Sequence, residues 1–476
     1  MSTQRLRILI VVGLLSLVAP SAAAGTAHAE PVTVTNGTRF TDTSGDPLHA
    51  HGGGVLEVGD YYYWFGENRG DDSRFEYVSV YRSRDLKNWE FRNHVLTQQS
   101  DPELQTANIE RPKVIYNDRT DQYVMWMHKE NGQDYSEARA AVAVSDTVDG
   151  DYRWLGSFRP LDHMSRDITA FVDDDGTGYM ISSARNNYDL HIYRLSPDYT
   201  EVEELVANPW PGGHREAPAM FQRNGVYYLV TSGATGWDPN QQQYATADCI
   251  GCEWSGWSDL GNSTGYGSQT TFVLPVEGSE RTSYLYMGDR WAGADGGVPN
   301  ESEYVWLPLR FPGGRTLAMD YHSRISIDTA TGQVEGLGGS FQELAARHSG
   351  KCLDVVDGSD SAGAELVQYA CHGGGNQQWS VEDTGSGYAR ITAMHSGMCL
   401  DVQGGSTETG AVAVQSACDG SASQQWSFED AGGGYSRIVA RHSGLCLDVS
   451  DESSQDSARV IQWTCTGGGN QQWSRT

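Results

Sequence analysis

The sequence predicts an all-β chain in two parts, a five-bladed β-propeller followed by a unit of three-fold β architecture. Gly 56, Tyr 24 and Trp 14, set in short Tyr/Val/Trp runs between Gly/Asp/Asn turns, are the composition of strands and tight turns. The N-terminal part repeats loosely at roughly 50 residues, and the C-terminal part repeats strictly at 47. At 476 residues the chain is too long for one ordinary core, so separate domains are expected: residues 1–29, 30–335 and 341–476.

The first of these segments, "MSTQRLRILIVVGLLSLVAPSAAAGTAHAEP", pairs Arg5 and Arg7 with an apolar run and Ala27-His28-Ala29. It reads as a secretory signal peptide, because the run is too short to span a bilayer. No other stretch could cross a membrane, and the expected product is a secreted, extracellular monomer. A formal net charge of −29, with no basic stripe, excludes nucleic acid as a partner and keeps the chain soluble by self-repulsion.

In the propeller segment, five stretches share a polar start, an apolar strand, a turn and an aromatic strand. They are "HAHGGGVLEVGDYYYWFGE", "IERPKVIYNDRTDQYVMWMHKE", "SRDITAFVDDDGTGYMISSAR", "HREAPAMFQRNGVYYLVTSG" and "GSQTTFVLPVEGSERTSYLYMGD". Each supplies strands of one blade. A propeller's first strands line its axis, so the residues at their mouths converge: His51 (or His49), Glu110, Asp167, Glu216 and Gln269. Three carboxylates crowded together raise the pKa of one, which suits a general acid. Aromatics flank them, and this is the equipment of glycoside hydrolysis.

These motifs, with "YRSRDLKNW", resemble glycoside hydrolase family 43, inverting enzymes on a five-bladed propeller. The resemblance implies Glu216 as general acid and Asp167 as the carboxylate that orients it. A blade-one Asp usually serves as base there; the aligned "HAHGGG" has no carboxylate, and Asp46-Pro47 reads as a turn. That gap, together with "NIERPK" and "GYGSQTTF", is similar to the subgroup of exo-β-1,3-galactanases. The subgroup implies Gln269 at the attacking water, with Glu110 as rival base or galactose ligand, and Tyr135, Thr235 and Trp237 as substrate contacts. The expected substrate is a β-1,3-galactan or arabinogalactan polysaccharide, with no cofactor and no metal. An arabinofuranosidase or xylosidase of the same family, or a non-catalytic two-domain lectin, are the alternatives. Cys249-x-x-Cys252 lacks a second ligand pair and reads as a local disulfide. Arg69-Gly70-Asp71 spells an adhesion tripeptide by accident.

The C-terminal part repeats "RHSGKCLDV", "MHSGMCLDV" and "RHSGLCLDV", each closing on a QxW whose tryptophans are Trp379, Trp426 and Trp473. Each repeat carries two cysteines, Cys352/Cys371, Cys399/Cys418 and Cys446/Cys465, which strict repetition pairs within the repeat. The pattern resembles the ricin B-type β-trefoil, carbohydrate-binding module family 13, with Trp side chains in the core. The resemblance implies sugar sites at Asp354, Tyr369, His372, Asn376 and Gln377 in the first lobe. In the third they fall at Asp448, Trp463, Asn470 and Gln471. The second lobe keeps Asp401 but has Ser416 and Ser423 at the stacking and amide positions, and is expected to be weak.

Overall fold

The computed structural model describes residues 30–70, 73–261, 264–337, 341–359 and 361–475; the leader expected at 1–29 lies outside the described residues. Five antiparallel four-stranded sheets follow one another along the chain, at residues 51–97, 108–158, 168–207, 215–260 and 269–319. Within each, strands pair in sequence order, and the first strands of successive sheets pack on one another until the fifth meets the first. Alternation drives this: aromatic and other large apolar residues such as Tyr63, Phe65 and Met125, Met127 face neighbouring sheets and are buried.

A further three-stranded sheet corrects the expected blade number. Val32–Thr35 pairs with Arg324–Asp328, which pairs with Gln333–Leu337, so the propeller carries six sheets and not five. Its strands come from opposite ends of the domain, and none begins with a polar residue followed by a turn and an aromatic strand. A period sought along the chain therefore passes over it. Val34, Ile325 and Ile327 bury against Trp64, Trp89, Tyr304 and Trp306 of the first and fifth sheets.

Residues 341–475 form the trefoil. Trp379, Trp426 and Trp473 are buried in its core, and their indole N–H groups donate to the carbonyls of Leu353, Leu400 and Leu447 in turn. The bridges Cys352–Cys371, Cys399–Cys418, Cys446–Cys465 and Cys249–Cys252 are present as read from the sequence. The two ends of each trefoil bridge differ in setting. Cys352, Cys399 and Cys446 open core strands and are buried, whereas Cys371 and Cys418 are exposed and Cys465 is half-buried. The outer cysteines follow the ends of the strands at Leu366–Tyr369, Ala413–Ser416 and Ala458–Trp463, where the chain turns outward. Each bridge therefore ties a surface loop to the core and adds little to the core itself.

The two domains share apolar contacts. Met394 of the trefoil is 6 % exposed within the cluster that holds Tyr266 and Tyr321, and Phe341 meets the Tyr321 ring edge-on at 4.8 Å. Among the described residues no helix is long and apolar enough to cross a membrane.

Candidate active site

The first strands of four sheets break register just inside the mouth: between His51 and Gly54, Glu110 and Lys113, Glu216 and Ala219, and Thr270 and Phe272. In two of them the cause is legible, because Pro112 and Pro218 have no N–H to give to the ladder. The residue between carboxylate and proline takes a left-handed conformation, Arg111 at φ 52° and Ala217 at φ 54°. Such a bulge re-aims the preceding side chain, and here it turns Glu110 and Glu216 onto the axis.

Glu216, Gln269, Glu110, Asp167, Tyr135 and Trp237 all line one cavity of about 430 Å³. Thr235 does not: its hydroxyl donates to the Asp238 carbonyl within its own loop and accepts from Asn240. His51 is likewise turned away, bonded to Asp289 at 3.3 Å and stacked on Tyr304.

Glu216 is 7 % exposed and accepts from Asn187 at 2.8 Å and from the Gln269 amide at 3.0 Å. Burial first, then the charge of Asp167, pushes its carboxyl up to about 8. Asp167 accepts the Ala217 N–H at 3.1 Å and pairs with Arg111 at 2.9 Å, so it braces the bulge that presents Glu216. Arg111 also donates to Gln269 Oε1 at 2.5 Å, and Trp291 Nε1 donates to the same oxygen at 2.8 Å. The Gln269 Nε2 donates to Glu216 and to Ser232, so the orientation of the amide is set from both ends.

Glu110 has the opposite setting. Burial alone would raise it, but the charge of Arg69 and hydrogen bonds from His128 and Tyr135 outweigh that and hold it well below the usual carboxylate range. The contacts are Arg69 at 2.9 Å, Tyr135 OH at 2.7 Å and His128 Nδ1 at 3.1 Å. Burial disfavours a charged His128, yet Glu110 and the buried Glu130 overcome it and raise the imidazole to about 9. Glu110, His128 and Asp167 place ligand atoms within 4.8 Å of one another, as a cation site would. Arg69 and Arg111 already pair with the two carboxylates there.

Sequence reasoning passed over Glu67, Arg69, Arg111 and Trp291. Glu67 is the cross-strand partner of His51, 2 % exposed, with its carboxylate on Arg69 at 2.7 Å. The first sheet thus places its carboxylate on the second strand. Gly52, at φ 62°, makes room, since a Cβ there would lie 2.4 Å from Glu67 Oε1. Burial pushes Glu67 up. The signal was present: four of the five repeated stretches contain both the mouth residue and its cross-strand partner, Glu67, His128, Ser232 and Asp289. Arg69 is the buried cation joining Glu67 to Glu110.

In the trefoil, Asp354 accepts from Asn376 at 3.1 Å and Gln377 at 2.7 Å, with His372 at 3.4 Å and Tyr369 exposed beside it. Asp448 accepts from Asn470 and Gln471 near an exposed Trp463. Gln377 and Gln471 are themselves wholly buried, which makes them supports of the aspartates. In the second lobe Asp401 accepts from Gln424 at 3.1 Å and from the Val402 N–H at 2.7 Å, and among the described residues no second side-chain amide joins them. Cys418 and Cys465 belong to the scaffold of these lobes and not to a sugar site. Bonded to Cys399 and Cys446, they anchor the chain two residues past Ser416 and Trp463, the stacking positions.

Comparison with known proteins agrees with this arrangement. A family model described as glycosyl hydrolases family 43 matches residues 52–260, and one for the ricin-type β-trefoil lectin domain matches residues 340–473. A solved exo-β-1,3-galactanase from Clostridium thermocellum is 49 % identical, covering 93 % of this chain and 99 % of that one at a TM-score of 0.67. One from Phanerochaete chrysosporium, solved with galactose, is 27 % identical, covering 94 % and 93 % at a TM-score of 0.63. A xylan 1,3-β-xylosidase of a Vibrio species is 27 % identical over 201 residues, 37 % of this chain. The chain spans 35 % of the length of that curated relative. By its axial carboxylates, its sheets and these relatives, the chain belongs to glycosyl hydrolase family 43, with a ricin-type β-trefoil lectin domain at its C-terminal end.

Proposed function

We propose that this protein is a secreted, inverting exo-β-1,3-galactanase that removes galactose from the non-reducing end of β-1,3-galactan, with the trefoil holding it on the polysaccharide. The observation that carries the chemistry is Glu216, whose carboxyl, raised to about 8, keeps its proton at neutral pH. Glu216 donates that proton to the glycosidic oxygen as the bond to C1 breaks, while water attacks C1 from the opposite face and gives α-galactose.

Gln269 positions this water and does not deprotonate it. Its oxygen faces only donors, Arg111 and Trp291, so the imidic tautomer would point an O–H at two N–H groups. It also touches Glu216, whereas the two groups of an inverting pair stand ~6.5–9.5 Å apart. Glu110 is ionised and lies two sheets away round the ring, which suits the acceptor of the water's proton. The substrate assignment is supported by the galactanase relatives, one of them solved as glutamate variants with β-1,3-galactotriose. The leader and four disulfides favour an oxidising, extracellular setting.

The test is proton NMR of the first product released from β-1,3-galactan. Initial α-galactose from the wild type, lost in Glu216→Gln, with turnover regained in azide as α-galactosyl azide in Glu110→Gln but not in Gln269→Ala, is the expected result. Arabinose or xylose from their own polymers, with none of galactose from this one, would overturn the substrate.

A further inference from the structure

A second cavity, of about 550 Å³, lies beside the catalytic one, and Gly236, Trp237, Gln269 and Trp291 line both. Its far wall belongs to the other domain: Gly358, Gly375, Met394 and His395 come from the trefoil. That wall is fixed, because Met394 is buried in the propeller's cluster and Phe341 packs on Tyr321. We infer that this interdomain cleft is a second carbohydrate subsite, continuous with the catalytic pocket and completed by the trefoil.

The lining states the chemistry of the occupant. Trp237 is 39 % exposed and set edge-on to Trp291 at 5.3 Å, offering an apolar surface of the kind sugar C–H faces pack against. Around it stand Asp238, Asn240 and Thr264. Of the charges on the wall, Arg290 pairs with Glu303 at 3.1 Å and Arg39 with Glu301 at 3.7 Å, while Asp238 and Asp289 leave an excess of carboxylate. An apolar platform, a polar rim rich in acceptors and that excess of carboxylate suit the hydroxyls of a neutral sugar and disfavour an anion. The size falls in the ~300–1,000 Å³ range of small-molecule sites. Since the cleft opens from the catalytic pocket, its occupant is a neutral sugar ring of the same substrate as the residue held there. That ring is either a main-chain unit beyond the second or a branch on the terminal unit. The trefoil then acts as a wall of the substrate site as well as a tether.

The inference rests on the galactanase reading for its substrates. Ala294→Trp fills the cleft from the propeller side and His395→Ala opens it from the trefoil side; both variants are first checked for an unchanged melting temperature. Hydrolysis is followed on β-1,3-galactobiose, on linear β-1,3-galactotetraose, and on a galactobiose whose terminal unit carries a 1,6-linked galactose. A roughly tenfold rise in KM, equivalent to about 1.4 kcal/mol, is expected for Ala294→Trp on one of the longer sugars with the biose unchanged. The tetraose identifies a main-chain occupant and the branched sugar a branch. Equal effects on all three, or none in either variant, would overturn the cleft. The same sugars are titrated calorimetrically into Glu216→Gln with and without Ala294→Trp, which reads the cleft without hydrolysis. A difference there supports the cleft even if the wild type cleaves nothing, an outcome that would sink only the galactanase reading; no difference overturns it.

Discussion

The propeller and the trefoil both repeat a strand pattern, but they use repetition in opposite ways. The trefoil copies one polar cluster: Asp354 and Asp448 carry nearly the same partners, on separate lobes. The propeller puts a different residue at each equivalent mouth and points them at a single axis. Copies on separate lobes act independently, so each adds to binding and none alters its neighbour. Residues converging on one axis alter one another. Asp167 raises Glu216, while Arg69 and His128 hold Glu110 down, so two carboxyls in one cavity stand at opposite ends of their range. Copying yields avidity; convergence yields chemistry.

The comparison is broken most severely at the axis. Glu216→Gln should lower kcat by roughly 10²–10⁴-fold on β-1,3-galacto-oligosaccharides, the span of a lost general acid, in steady-state assays. Arg111→Met leaves Asp167 without its cation at 2.9 Å and should destabilise the fold by about 3–5 kcal/mol, read from denaturant unfolding. A pH profile sharpens the coupling. The kcat/KM of the wild type should fall on an alkaline limb near pH 8, and Asp167→Asn should move that limb down, because it removes one of the three causes, after burial the largest, that raise Glu216.

Stability should follow the same group. A carboxyl raised in the fold stabilises it fully below the unfolded pKa, and that contribution is lost as pH climbs through the folded value. Between pH 4.5 and 8, therefore, Glu216→Gln should gain roughly 1–3 kcal/mol on the wild type, as measured by chemical denaturation at several pH values. The smallest effect belongs to the copies. Asp448→Ala should weaken retention on insoluble galactan a few-fold and leave turnover of galactobiose unchanged, and Asp401→Ala should change neither.

Much of the site was legible because mouth residues recur at one offset and proline marks the bulge. Glu216, Glu110, Asp167 and Gln269 could be found by reading along the chain. What lay across the ladder was harder. Glu67 is beside the axis only because it pairs with His51, and Arg69, read as part of a chance tripeptide, is the buried cation between two carboxylates. Trp291 is set by a loop with no periodic counterpart. The sixth sheet escaped for the same reason, being an encounter between distant segments. In the trefoil, where each lobe is its own short repeat, cysteine pairing and core tryptophans were both readable in advance. The unequal exposure of the paired cysteines was not, since Cys418 and Cys465 take their surroundings from loops outside the repeat's strands.

The strand Val32–Thr35 carries one last consequence, for the time course of folding. It pairs with Arg324–Ile327, segments that the whole propeller separates. Contacts between such remote segments slow folding, because the intervening chain must be organised before its ends can meet. Most of the propeller sequence is made before this seam can be sewn. An emerging chain would hold its first strand unpaired until the last arrives, and a circular permutant that joins Val32–Thr35 directly to the strand it pairs with should refold faster than the natural order.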